Sequence, residues 1–259
     1  MTIWVCLCAG DILLRREGAD GAFSLPVGCE PPIPLQPWHI ATTLQVDEQE
    51  VKIVRLDHPV TNNPSLEMMG LRKTHSVLND KEYALAGKAA ELLYWDSNTK
   101  YCGVCGSPNR WMTSISKKCP ECGKEWWPSV STAIIVRILR DDEILLVRSR
   151  NFRTNHYGLV AGFLETGESL EECVIREVLE ETSIKVKNIK YFGSQPWPYP
   201  YGLMVGFTAD YSSGELHLQK EELTEGGWFS RNNLPPIPDK ASIARRLIDD
   251  WLLPPATDE

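Results

Sequence analysis

The sequence predicts an α/β protein built in three consecutive parts, and three observations predict it. Residues 1–97 hold short apolar stretches broken by Pro and Gly, then one helical pattern. Residues 98–126 are polar and rich in cysteine. Residues 127–259 open with two apolar strands around a short turn, followed by a capped amphipathic helix. A chain of 259 residues has length for one large domain or two small ones, and needs no staples to bury a core.

The elements follow in order. Met1–Cys8 is apolar, has no Lys or Arg ahead of it, and is interrupted at Asp11. It reads as a first strand, not a secretory leader. Ile12–Leu14 and Val51–Leu56 read as further short strands, with the turn Pro31-Pro32-Ile33-Pro34 between them. Leu85, Lys88, Ala89, Leu92 and Leu93 fall at helical spacing. Thr132–Leu139 and Glu143–Val147 flank a short Arg-Asp-Asp turn, which predicts a hairpin. The 42% hydrophobic share and nine tryptophans exclude disorder as the main state. No run approaches the ~20 apolar residues of a membrane helix. A net charge of −8 argues against nonspecific duplex binding and admits an anionic substrate only through a cation.

Eight cysteines in a chain without a leader point to the reducing cytoplasm. Cys102-Gly-Val-Cys105 and Cys119-Pro-Glu-Cys122 are two C-x2-C pairs, each followed by a glycine that allows a tight turn. Four thiolates make a closed tetrahedral site, which suits structural Zn²⁺ and leaves no open position for catalysis. The segment is too short for a core of its own, so the metal is expected to fold it. Cys6, Cys8, Cys29 and Cys173 read as small buried hydrophobes.

The decisive stretch runs from Gly162 to Ile184. Ser169 with Glu172 three residues on is a capping box, so a helix starts there. Leu170, Val174 and Val178 form its buried stripe. Glu177, Glu180 and Glu181 lie at i, i+3 and i+4 on a neighbouring face. Three carboxylates so close repel, and Arg176 offsets only part of that. A hard divalent cation, Mg²⁺ in particular, wants such oxygens together with substrate phosphate. The plain alternative is a solvated acidic face. A phosphate-binding loop is rejected, because Glu168 stands where that loop needs Lys.

These residues resemble the Nudix box, G-x5-E-x7-R-E-U-x-E-E-x-G-U with U aliphatic. Every fixed position matches except the last glycine, which is Ser183. Serine at a left-handed helix end costs roughly 1 kcal/mol relative to glycine, a matter of stability more than chemistry. Downstream, Ser194-Gln195-Pro196-Trp197-Pro198-Tyr199-Pro200-Tyr201-Gly202 resembles the S-Q-P-W-P-F-P-x-S signature of NADH pyrophosphatases within the Nudix families. Those enzymes also carry a four-cysteine zinc ribbon ahead of the Nudix domain. Gly202 departs from the family serine, so a hydroxyl contact to ligand is missing.

The resemblance implies a mixed-sheet α/β/α Nudix sandwich at 127–259, preceded by a zinc ribbon at 98–126 and a small α+β domain at 1–97. It implies that Glu177, Glu180 and Glu181 bind metal and act in catalysis. Glu222 matches a further ligand, with Glu221 and Glu225 as alternatives, and the carbonyl of Ala161 matches another. Phe163 and Trp127 match ring-sandwiching aromatics. Arg72, in Gly70-Leu71-Arg72, matches a substrate contact from the N-terminal part, and Ala244 one from the C-terminal part. Residues Gln195 to Gly202 complete the implied substrate set.

The activity implied is hydrolysis of the pyrophosphate in NADH or NAD⁺ to a mononucleotide and AMP, with Mg²⁺ or Mn²⁺. Removal of NAD caps from RNA breaks the same bond. The resemblance also implies a homodimer. A broader dinucleotide or ADP-ribose diphosphatase is one rival, favoured if Gly202 relaxes selection. A non-catalytic nucleotide-sensing or RNA-binding module is the other, and an incomplete glutamate set would have favoured it.

Overall fold

The computed structural model describes residues 1–18, 21–151 and 154–253. The chain forms two compact units, Met1–Ser129 with Trp197–Tyr201, and Val130–Pro196 with Gly202–Glu259. The cysteine segment belongs to the first unit, as does the short proline-rich stretch borrowed from the second half of the chain.

The first unit contains β1 (Thr2–Cys8), β2 (Asp11–Glu17), β3 (Ala22–Ser24), β4 (Val27–Gly28), β5 (Ile40–Val46), β6 (Gln49–Arg55) and β7 (Leu66–Gly70). They form one seven-stranded sheet with central order β3-β2-β1-β6-β5, in which only β1 and β6 run parallel. Alternation along β1 and β2 sends Val5, Leu7, Ile12 and Leu14 to one face. Trp4, Cys6 and Leu13 go to the other. The first face is covered by α1 (Asp80–Asn98), capped by the Asn79 side chain. Its buried stripe is Ala86, Ala89, Leu92, Leu93 and Trp95, while Lys88 of the predicted pattern is exposed.

Three short strands, β8 (Arg110–Thr113), β9 (Ser116–Lys118) and β10 (Glu125–Trp126), carry the cysteine segment. Trp111 and Trp126 pack against the α1 face, so the segment shares the first unit's core. Lys117 pins it further. Its ammonium is almost wholly buried, 2.7 Å from the Asp96 carboxylate, and donates to the carbonyls of Asp96 and Thr99. It also lies over the rings of Trp95 and Trp111. Lys117→Met should therefore cost about 3 kcal/mol in urea unfolding. Asp96 keeps its partner Arg55, which holds the loss to the lower end. A change below about 1 kcal/mol would refute the pin. Of the remaining cysteines Cys6 and Cys173 are buried, Cys8 is half-buried and Cys29 is exposed, contrary to expectation for the last.

The second unit holds β11 (Ser131–Arg140), β12 (Glu143–Ser149), β13 (Val160–Phe163), α2 (Leu170–Thr182), β14 (Lys185–Pro196), β15 (Gly202–Ser213), β16 (Leu223–Ser230) and α3 (Ile243–Leu252). The sheet order is β14-β15-β11-β12-β16, with β13 also on β11. Only β11 and β15 are parallel, so the sheet is mixed. It is covered on both faces. Ile134, Val136, Ile138, Leu145 and Val147 meet Val174 and Val178 of α2. Ile135, Ile144 and Leu146 meet Ile243, Leu247, Ile248 and Trp251 of α3. Two apolar faces explain why β11 reads as a continuous apolar run and not as an alternation. The β11–β12 hairpin closes with Arg140 opposite Glu143 and Asp141 at φ 53°. No helix among the described residues is long and apolar enough to cross a membrane.

Candidate active site

The loop before α2 and the helix itself form one acidic construction. The Ser169 hydroxyl accepts from the Glu172 N–H, and the Glu172 carboxylate accepts from the Ser169 N–H at 2.8 Å. This closes the predicted capping box and fixes where the first turn begins. The helix ends on Ser183 in the left-handed conformation, φ 60°. Ser183→Gly should stabilise the protein by roughly 1 kcal/mol without changing turnover, read from thermal melts and initial rates.

Arg176 does more than offset charge. Its guanidinium donates to Glu168 at 2.5 and 2.9 Å, to Glu177 at 2.9 Å, to Glu180 at 3.1 Å and to the Phe163 carbonyl at 2.9 Å. The bidentate pair with Arg176, helped by the Glu165 N–H, holds Glu168 down at about 2. So Glu168 and Arg176 tie the loop to the helix.

Glu177 and Glu181 are buried, at 9% and 4% exposure, while Glu180 faces solvent. The Glu177 carboxyl lies against the Cα of Gly162: a Cβ there would stand 1.9 Å from Cδ. Burial raises Glu177 above the ordinary carboxylate range, against the pull of Arg176. Burial raises Glu181 to about 8, with the charges of Glu177, Glu222 and Glu180 adding to it. Glu222 lies on a turn 41 residues further along the chain. Its turn is tied to the helix by the Gln219 N–H, which donates to the Glu181 carbonyl at 2.9 Å. Glu225 is engaged elsewhere, by Arg148 and Tyr157. Ala161 sits on β13 next to Gly162, opposite Ile135. The carboxylates outnumber the one guanidinium they share, and carboxylate oxygen is the donor type a hard divalent cation takes.

In the first unit, Arg72 and the proline-rich stretch come together. The Arg72 guanidinium lies over the rings of Trp197 at 5.0 Å and Tyr199 at 4.6 Å. Tyr199 shares a 2.6 Å hydrogen bond with Tyr83, and burial raises its phenol above the usual range. Pro198 packs on Gly87, whose missing Cβ leaves the room, and Tyr201 stacks on Tyr94. Pro200 is exposed between these anchors. These contacts seat the stretch on α1.

The other predicted contacts differ in kind. Trp127 and Phe163 are exposed rings, at 53% and 65%. Gln195 has its amide engaged: it donates to the Ala241 carbonyl at 2.8 Å and accepts from the Ile243 N–H at 2.6 Å, holding the start of α3. Pro196 closes β14 opposite Leu203, and Gly202 opens β15, buried, opposite Ser131. The Ala244 methyl is buried in the α3 core.

Cys102, Cys105, Cys119 and Cys122 place their Sγ atoms within 4.8 Å of one another. The closest pairs are Cys105 to Cys119 at 3.4 Å and Cys102 to Cys122 at 3.6 Å. A tetrahedron of thiolates at about 2.3 Å from Zn²⁺ has edges of about 3.8 Å, so the donor set fits. Gly106 and Gly123, both at positive φ, return their N–H groups to the Cys102 and Cys119 carbonyls. Burial works against ionisation at Cys102, yet backbone donors from Cys105 and Val104 bring it down to about 6.

Comparison with known proteins agrees with this geometry. A family described as NUDIX domain matches residues 128–251, and one described as NADH pyrophosphatase-like rudimentary NUDIX domain matches 1–95. The NAD-capped RNA hydrolase NudC of Pseudomonas aeruginosa is 40% identical over 207 residues, 79% of this chain and 73% of the relative. That of Pseudomonas putida is 42% identical over 206 residues, 78% and 74% of the two chains. A crystal structure of a Nudix hydrolase from Nitrosomonas europaea superposes with a TM-score of 0.51 at 20% identity, covering 59% of this chain and 90% of that one, and shows the shared fold. With the sandwich, the acidic helix and the cysteine cluster in place, the chain belongs to the Nudix hydrolases, in the NADH pyrophosphatase and NAD-capped RNA hydrolase subfamily.

Proposed function

We propose that this Nudix hydrolase cleaves the pyrophosphate of NADH and NAD⁺, free or as the 5′ cap of RNA. Water adds to one phosphorus, the bridging P–O bond breaks, and a nicotinamide mononucleotide and AMP (or the 5′-phosphate RNA) leave. The observation that carries this is the buried carboxylate pair Glu177 and Glu181, with Glu180 and Glu222 adding like charge. Without metal, Arg176 pairs Glu177 and burial keeps the proton on Glu181; a divalent cation is what would let both carboxyls ionise together.

Glu177, Glu180, Glu181, Glu222 and the Ala161 carbonyl are the proposed ligands of Mg²⁺ or Mn²⁺. When bound, that ion neutralises diphosphate charge and lowers the pKa of an attacking water. Glu181 is the first choice for general base or ligand. Arg176 and Glu168 keep the loop and helix in register. Within the first unit, Arg72, Trp127, Trp197 and Tyr199 are proposed substrate contacts, a cation and flat rings suited to phosphate and to a nucleotide ring; Phe163 is proposed as one within the second. Zn²⁺ on the four cysteines is proposed to be structural. The chain is proposed to work as a cytoplasmic homodimer.

The test is direct. Purified protein with Mg²⁺ or Mn²⁺ is given NADH, NAD⁺, ADP-ribose and NAD-capped RNA in ¹⁸O-water, and products are read by mass spectrometry. The reading requires mononucleotide and AMP with one ¹⁸O, and higher kcat/KM on the NAD forms than on ADP-ribose. Equal or better use of ADP-ribose establishes the broader diphosphatase. No cleavage with either metal removes the reading. The protein should also carry about one Zn²⁺ per chain. Cys119→Ser should lose it, and stoichiometric retention would refute the ribbon. Because Lys117 and two tryptophans also anchor the segment, that variant should be destabilised but not wholly unfolded.

A further inference from the structure

The turn that carries Glu222 lies 41 residues beyond Glu181, outside the acidic helix, yet it is hydrogen-bonded to that helix's last turn. Something must hold that turn in place. On one side the Gln219 N–H donates to the Glu181 carbonyl at 2.9 Å, and the N–H groups of Glu222 and Leu223 fold back onto the Gln219 carbonyl at 3.1 and 2.9 Å. On the other side stands Arg150, just past the end of β12. Its backbone N–H donates to the Glu222 carbonyl at 2.8 Å, and its guanidinium Nε donates to the Lys220 carbonyl at 2.5 Å. The β12–β16 pairing slips by one residue at Arg148 and Ser149, next to this grip. A register slip at the end of a strand pair re-aims the residues that follow.

From this geometry we infer that Arg150 is a positioning residue for Glu222, gripping its turn through main chain and side chain together. The inference rests on the reading of Glu222 as a metal ligand. Arg150 forms no ion pair with a carboxylate among the described residues, unlike Arg148, which is tied to Glu225. Its side chain is spent on a backbone carbonyl, where a charged donor makes a strong bond. Only the side-chain half of the grip is removable by substitution, so the effect should be partial. Outer partners of metal ligands are worth about 10–100-fold in metal affinity, and half a grip belongs at the lower end.

The test is a double-substitution cycle on Mn²⁺ binding to the full chain without substrate, followed by electron paramagnetic resonance. Arg150→Ala should weaken Mn²⁺ about tenfold, and Arg150→Lys, which keeps a cationic donor, should recover most of that. Glu222→Gln should weaken binding at least as much. Arg150→Ala added to Glu222→Gln should then weaken it no further, because the group being positioned is gone. Melting temperatures report whether the variants are folded. Affinity within twofold of the parent in folded Arg150→Ala overturns the inference. So do multiplying effects in the double variant, which a general structural role would give. If Glu222→Gln binds Mn²⁺ as the parent does, the ligand reading of Glu222 and this inference fall together. That result is distinct from silence at Arg150 alone.

Discussion

Glu181→Gln should lower kcat by at least about 100-fold, a barrier increase of about 2.7 kcal/mol. The residue sits at the centre of the acidic construction, buried and surrounded by Glu177, Glu180 and Glu222. The amide keeps its shape but offers neither a negative oxygen to a cation nor a base to water. KM for NADH should change little, because ring contacts lie on other residues. Turnover within threefold of the parent, with metal dependence retained, would remove Glu181 from the proposed catalytic set.

The same substitution should have an opposite effect on stability. A carboxyl held at about 8 in the fold, against about 4.3 in an unfolded chain, keeps its proton where the unfolded state has lost it. Between those two values the folded state binds more protons, so stability falls as pH rises and levels off above about 8. Chelator-treated parent protein should therefore lose stability from pH 5 to pH 8, and Glu181→Gln should lose less. The gap should open across that window to on the order of 2–4 kcal/mol, given about 1.36 kcal/mol per pKa unit and some relaxation of the site. Divalent metal should close the gap by stabilising the parent. A gap that is flat with pH, or that opens below pH 5, would contradict the burial of Glu181.

What was legible in the sequence was local. The Ser169 cap, the β11–β12 hairpin, the cysteine turns and the i, i+3, i+4 glutamates all depend on residues within one or two turns of each other. Their physics is short-ranged, so spacing suffices. The hidden features depend on distant partners. Spacing places the glutamates on a face beside the buried stripe, yet Glu177 and Glu181 are themselves buried, because β13 and the 217–223 segment cover them. Glu222 could not be told from Glu221 and Glu225 by pattern. Only the folded chain shows Glu225 occupied by Arg148 and Tyr157, and Glu222 coupled to the helix. The signature implies a ligand contact at Gln195, and nothing in its spacing shows that its amide also fastens the start of α3, 46 and 48 residues further on.

Gly162→Ala should be as damaging as loss of a glutamate, although it removes no functional group. The added Cβ would lie 1.9 Å from Glu177 Cδ and 2.1 and 2.2 Å from its two oxygens, distances no real contact reaches. The backbone of Gly162 is fixed by β13 pairing with β11, opposite Ile134, so the glutamate must move instead. Moving it breaks its bond to Arg176 and takes a carboxylate out of the cluster. The expected result is a loss of turnover of at least about 100-fold and an overpacking cost of roughly 1–3 kcal/mol. Gly167→Ala separates this cause from the general demands of glycine. Gly167 has φ +95° and nothing within 4 Å of a new Cβ, so that variant should lose about 1 kcal/mol of stability and keep its turnover. A second control isolates the clash: in a Glu177→Ala background the carboxyl is gone, and Gly162→Ala should then cost almost no further stability. Full turnover in Gly162→Ala, or an undiminished stability cost in the double variant, would show that Glu177 does not occupy the space glycine leaves for it.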